Sequence, residues 1–142
     1  MARIAKIIHV LLLIGVGGMF IYAGIAKAAD PAAFALDIDR YRILPWSGVA
    51  LQALYLPWLE IACGGALFFR RTRMGSLWLL LAMMLVFLMA LLSAWMRGLD
   101  IRCGCFGSTE AGAPIPIAIM RDLGILGALL FLFWKERPNT AE

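Results

Sequence analysis

Two thiols separated by a single glycine are the sharpest chemical feature of this sequence, in Arg102-Cys103-Gly104-Cys105-Phe106-Gly107-Ser108. A disulfide between them would close a very small ring, and glycine is the intervening residue that reaches the required dihedrals at least cost. Disulfides prefer Cα separations of about 4.4–6.8 Å and a dihedral near 90°, so such a ring is strained. A strained bond is readily passed on, which suits a catalytic or relay disulfide better than a structural staple. Arg102, next to the pair, favours the nucleophilic thiolate. The rival readings are two ordinary loop thiols, or half of a metal site completed by a partner.

A second group of reactive residues stands where charge is expensive. Glu60, Arg121 and Asp122 interrupt apolar runs, and Lys27 closes another. Ionisable side chains at membrane depth cost several kcal/mol unless they are paired or wetted. Glu60 therefore calls for a partner such as Lys27 or Arg121. One reading is a structural ion pair that holds helices together. The other is a polar pocket that takes a quinone head group or moves protons during thiol oxidation. Cys63 stands three residues after Glu60 and shares its helix face. It is read first as a small buried apolar residue beside Gly64 and Gly65, about 20 Å deep by helical rise. The sharper alternative is a resolving thiol for Cys103 and Cys105, which requires their loop to fold down into the bundle.

The elements that must position these groups follow from composition. With 142 residues, 63% hydrophobic and 15% charged, and a mean hydropathy of +0.89, the chain needs lipid as its solvent. A crossing takes about 20 apolar residues, so four crossings with short loops use nearly all of it as one all-α membrane domain, residues 1–142. The expected crossings are about 7–26, 49–69, 76–96 and 115–134, with a polar loop over 97–114 that carries the cysteine pair. The first run has a competing reading as a secretory signal peptide, because Ala26-Lys27-Ala28 resembles a small-x-small cleavage site. Its length exceeds the roughly 7–15 residues of a signal core and favours a retained helix. Between the first two crossings, Phe34, Ile38, Tyr41 and Leu44 recur every three or four residues. This spacing predicts a short amphipathic interfacial helix with Pro31 at its start and Pro45 ending it.

Other residues carry less. Met83, Met84 and Met89 are read as packing residues, and Trp46, Trp58, Trp78, Trp95 and Trp134 mostly as interface anchors. His9 alone is a poor metal ligand, residues 135–142 read as a solvated tail, and no metal site is expected. The net charge of +4 comes from basic residues flanking apolar runs, which excludes a nucleic-acid face. Arg3, Lys6, Arg70, Arg71, Arg73, Lys135 and Arg137 concentrate in short segments on one side. Lys27, Arg40, Arg42, Arg97, Arg102 and Arg121 fall on the other. The positive-inside rule then places both termini in the cytoplasm and the cysteine loop outside, where disulfides persist.

With these residues in place, the chain resembles the MauE/DoxX-like family of four-helix membrane proteins, in particular its methylamine-utilisation MauE branch. The resemblance rests on Tyr22 to Lys27, Asp30-Pro31 with Phe34, Tyr41 to Pro45, Pro57 to Glu60 with Gly64, Cys103-Gly104-Cys105-Phe106-Gly107, and Arg121-Asp122. Cys63 lies outside the family pattern, and Asn also occurs at the position of Asp122. The resemblance implies a multi-pass protein of the bacterial inner membrane that supports disulfide formation or quinone-cofactor maturation of exported proteins. It also implies a periplasmic thioredoxin-like or disulfide-bearing partner. Cys103 and Cys105 are the expected catalytic thiols, supported by Arg102, Gly104, Phe106 and Gly107. Lys27, Glu60, Arg121 and Asp122 are the expected pocket for a non-covalently held quinone. A non-catalytic assembly subunit is the alternative, and a transporter ranks behind both.

Overall fold

Hydrocarbon offers backbone N–H and C=O groups no partner, so a chain this apolar must satisfy them within helices. A computed structural model describes residues 1–103 and 113–137, with Ala2, Arg102 and Cys103 described by their backbone alone. Among the described residues, five helices run in the order α1 (Ala2–Ala29), α2 (Pro31–Asp39), α3 (Trp46–Ala66), α4 (Arg73–Met96) and α5 (Ile115–Glu136). Two short strands, β1 (Arg102–Cys103) and β2 (Ala113–Pro114), pair antiparallel between α4 and α5. Helices α1, α3, α4 and α5 are each long and apolar enough to cross a membrane, and α2 is the short helix expected after the first crossing. Their outer faces carry exposed Ile7, Leu11, Trp78, Leu79 and Val86, a pattern that a bilayer, not water, makes favourable.

Helix α1 packs most extensively on α3, and α4 on α5. The α1–α3 contact is close because both helices present small residues. A Cβ on Gly17 would come to 3.0 Å from the Gly64 carbonyl oxygen, and one on Gly24 to 2.6 Å from that of Pro57. The pairing of 17 with 64 and 24 with 57 makes the two helices antiparallel. Pro57, inside α3 and buried, lacks the N–H that would bond back to Ala53, and α1 lies against α3 at this interruption.

Among the described residues the interior has three apolar clusters. One gathers Leu13, Val16, Leu67, Leu77, Leu80, Leu129 and Leu132 near the end that holds the termini. A second, at the opposite end, joins Tyr41, Leu91, Ala94, Ile115 and Ala118. The third packs α2 on α3 through Phe34, Ala35, Val49 and Ala53.

Some boundaries differ from expectation for identifiable reasons. The amphipathic helix starts as expected, with Asp30 capping it by accepting a bond from the Ala33 N–H at 3.0 Å and Pro31 at its first turn. It stops at Asp39, well before Pro45, and Arg42 adopts a positive φ of 51°. The Arg97 guanidinium donates to the carbonyls of Tyr41 and Arg42, satisfying groups that a longer helix would have bonded internally. Helix α3 ends at Ala66, not 69, because Thr72 and Arg73 donate to the Ala66 and Leu67 carbonyls and close the arginine turn. Lys135 and Glu136 are not tail but the last turn of α5: Lys135 donates to the Ala5 carbonyl at 2.7 Å. Met84 is a packing residue, but Met89 is 68% exposed and faces outward.

Gly24→Val should destabilise the protein by about 1–3 kcal/mol through overpacking against α3. Gly15→Ala, where an added Cβ meets nothing within 4 Å, should leave the thermal midpoint in nanodiscs unchanged or slightly raised. Equal effects of the two would contradict the close α1–α3 seam.

Candidate functional site

Helical side chains lean toward the N-terminus of their own helix. In the antiparallel α1–α3 pair, Lys27 and Glu60 therefore lean toward one another across the Gly24–Pro57 seam. Lys27 Nζ donates to Glu60 Oε1 at 2.7 Å, with side chains only 7% and 8% exposed. Lys27 also sits 5.2 Å from the centre of the Phe34 ring, so α2 shields the pair. On α5, Arg121 donates to Asp122 Oδ1 through Nε at 3.0 Å and Nη2 at 2.9 Å. On α2, Arg40 donates to Asp37 Oδ1 at 3.1 Å.

These pairs surround one cavity of about 470 Å³, bounded by α1, α2, α3, α4 and α5. Lys27, Glu60, Arg121 and Asp122 all line it, so the structure brings together the four intramembrane charges singled out in the sequence. Most of the remaining wall is apolar, including Phe20, Leu56, Met83, Met84, Val86 and Phe87. Met83 and Met84 are thus both cavity residues, and Met84 also packs in the leucine cluster.

The second oxygen of each carboxylate is the telling detail. Glu60 Oε2, Asp122 Oδ2 and Asp37 Oδ2 are buried and have no hydrogen-bond partner among the described residues, as is the Tyr41 hydroxyl. Buried polar atoms are normally bonded, and each left alone costs about 1–3 kcal/mol. All four belong to residues that line the same cavity.

Sequence reasoning did not place Asp37 and Tyr41 in the site. The signal was present, because Phe34, Asp37 and Tyr41 share one face at three- and four-residue spacing, and an acid on an apolar stripe needs a reason. Tyr41 stacks edge-on to Phe87 at 6.5 Å. Burial pushes its phenol up to about 12, and the negative charges of Asp122 and Asp37 act in the same direction against Arg121. It stays a neutral hydroxyl at physiological pH. Burial likewise raises the Asp37 carboxyl, opposed by Arg40.

The cysteines divide. Cys63 is buried in the apolar cluster with Leu13, Val16 and Leu67 and does not line the cavity, although Glu60 one turn earlier does. Its carbonyl accepts a bond from the Ser76 hydroxyl, which ties α3 to α4. Cys103 lies in β1, its backbone paired with Ala113, whereas Gly104, Cys105, Phe106 and Gly107 lie outside the described residues. The strand pair leads straight into α5. Arg121, six residues into that helix, is about 9 Å below by helical rise.

At the other end of the bundle, Glu136 Oε1 joins Arg73 Nη1 at 2.8 Å and His9 Nε2 at 2.9 Å. This ties α1, α4 and α5 together where the termini and the arginine turn meet. Sequence reading missed it because its members come from distant parts of the chain.

The fold and this site define a multi-pass membrane protein: a four-helix bundle with an ion-paired cavity beneath the strand that carries Cys103. The family model described as methylamine utilisation protein MauE matches residues 5–135, and the chain belongs to the MauE family. No curated protein and no solved structure matches the chain.

Removing one member of the buried Lys27–Glu60 pair strands a charge, so Lys27→Met and Glu60→Gln should each destabilise the protein by about 3–5 kcal/mol. The double variant should recover more than half of the summed loss. A thermal-unfolding double-mutant cycle in nanodiscs checks this, and simple additivity would show that the two side chains do not depend on each other.

Proposed function

We propose that this protein serves methylamine utilisation as a membrane thiol-disulfide relay, supporting disulfide formation or quinone-cofactor maturation of exported proteins. Cys103 and Cys105 exchange electrons with a periplasmic thioredoxin-like or disulfide-bearing partner. The cavity formed by Lys27, Glu60, Arg121 and Asp122 takes a lipid-soluble quinone. The observation that carries this reading is the position of a cavity of about 470 Å³ with half-paired carboxylates inside the bundle, toward the end where β1, the strand of Cys103, pairs with the β2 that enters α5.

The parts fit the chemistry. Oxidising two thiols to a disulfide releases two electrons and two protons, which is what a quinone accepts in becoming a quinol. Arg102 beside Cys103 favours the attacking thiolate. Apolar walls suit a ring and isoprenoid stem, while the ion pairs hold polar atoms on the lining. Tyr41, with its hydroxyl protonated, offers a hydrogen bond between the strand end and the carboxylates. The joining of His9, Arg73 and Glu136 beside both termini puts the arginine turn and the termini at one end. This supports a cytoplasmic location for that end and an inner-membrane setting with the cysteine loop outside.

The test is to trap thiol states in membranes and titrate them against a redox buffer. The Cys103–Cys105 couple should titrate well above the about −300 mV typical of structural disulfides, and Cys103→Ser should accumulate mixed disulfides with a partner. Full function in both Cys103→Ser and Cys105→Ser would overturn the redox reading.

A further inference from the structure

Three carboxylates on three different helices face the cavity in the same half-satisfied state. Arg40 holds Asp37 Oδ1, Lys27 holds Glu60 Oε1, and Arg121 holds Asp122 Oδ1. The second oxygen of each is buried without a partner among the described residues. Lys27–Glu60 at 2.7 Å and Arg121–Asp122 at 2.9 Å have the length of charge-assisted bonds, in which an ionised carboxylate is an acceptor only, and Arg40–Asp37 is longer at 3.1 Å. The cavity therefore presents three spare acceptors and one phenol that can either donate or accept. Each carboxylate already has a cation on one oxygen, from Lys27 and Arg121 within the lining and from Arg40 outside it, so a neutral molecule with hydroxyl donors satisfies second oxygens that are otherwise costly to bury.

We infer that the cavity binds the reduced, hydroxyl-bearing form of its head group, a quinol, in preference to the oxidised quinone. The inference rests on the relay reading and gives it a direction. A quinone has two carbonyl acceptors and no donor, so it meets Glu60 Oε2, Asp37 Oδ2 and Asp122 Oδ2 as acceptor against acceptor. A quinol offers two O–H groups to the same oxygens. Tighter binding of the reduced form raises the potential of the bound couple, because binding and reduction are thermodynamically linked. The site then draws electrons out of Cys103 and Cys105. Their dithiol loses two electrons and two protons and closes the S–S bond, the bound quinone gains both to become quinol, and the disulfide is available to oxidise a partner's thiols. Quinol leaves to the lipid pool and fresh quinone replaces it.

The experiment measures anaerobic binding of a short-chain ubiquinone and its quinol to the full chain in nanodiscs, followed by quenching of tryptophan fluorescence. The quinol should bind about tenfold more tightly, which for a two-electron couple corresponds to a rise of about 30 mV in the bound potential. Asp122→Asn replaces an acceptor-only group by one that also donates, and should reduce the preference to about threefold or less. Asp37→Asn, on the more peripheral α2, should act in the same direction and serves if Asp122→Asn fails to fold. Equal or tighter binding of the quinone overturns the inference and leaves the relay reading standing. Binding of neither form overturns both.

Discussion

The buried ion pair between Lys27 and Glu60 is the interaction on which the other features depend. Two charges cannot enter hydrocarbon singly, and together they remain there only if their helices stay in register. That register comes from Gly17, Gly24 and Gly64, which let α1 and α3 approach until a methyl group would collide with backbone oxygen. Pro57 sits at the same contact, one turn before Glu60. The glycines and the ion pair are thus two halves of one device. Dispersion and shape draw the helices together, and the 2.7 Å contact fixes their sliding position.

The cavity follows from how the helices pair. With α1 closely held to α3, and α4 to α5, the space between the two pairs is filled by large apolar side chains only near the two ends. Leucines close it toward the termini, and Tyr41 with Leu91, Ala94 and Ile115 closes it toward the strands. Between these clusters the lining charges each use one oxygen to brace the fold and keep the other toward the interior. A pair that was purely structural would be better satisfied on both oxygens. Arg97 completes the enclosure by holding the carbonyls after α2, which keeps Tyr41 over the cavity.

Much of this was legible in the sequence because lipid imposes a severe filter. Four apolar runs became four helices long and apolar enough to span, and the residues that violated those runs, Lys27, Glu60, Arg121 and Asp122, line one cavity. A charge in hydrocarbon is costly enough to mark itself. Asp37 and Tyr41 were less visible because they stand in an amphipathic segment where polar residues are ordinary. The early end of α2 was invisible locally, since the donor that permits it, Arg97, comes from the far end of α4. The same is true of Glu136 with His9 and Arg73. Cys63 was legible as a small buried apolar residue, and one helical turn from Glu60 is enough to carry it out of the cavity and into the leucine cluster.

The central claim is that electrons pass from Cys103 and Cys105 to a lipid-soluble acceptor seated on these carboxylates. The most direct measurement mixes the fully reduced chain in nanodiscs with a short-chain ubiquinone in the absence of oxygen, following quinone absorbance and counting thiols together. The account predicts one quinone consumed for every two thiols lost, Cys63 remaining reduced, and no quinone consumption in Cys103→Ser. Quinone reduction that continues undiminished without Cys103, or thiol loss with no quinone consumed, would contradict it.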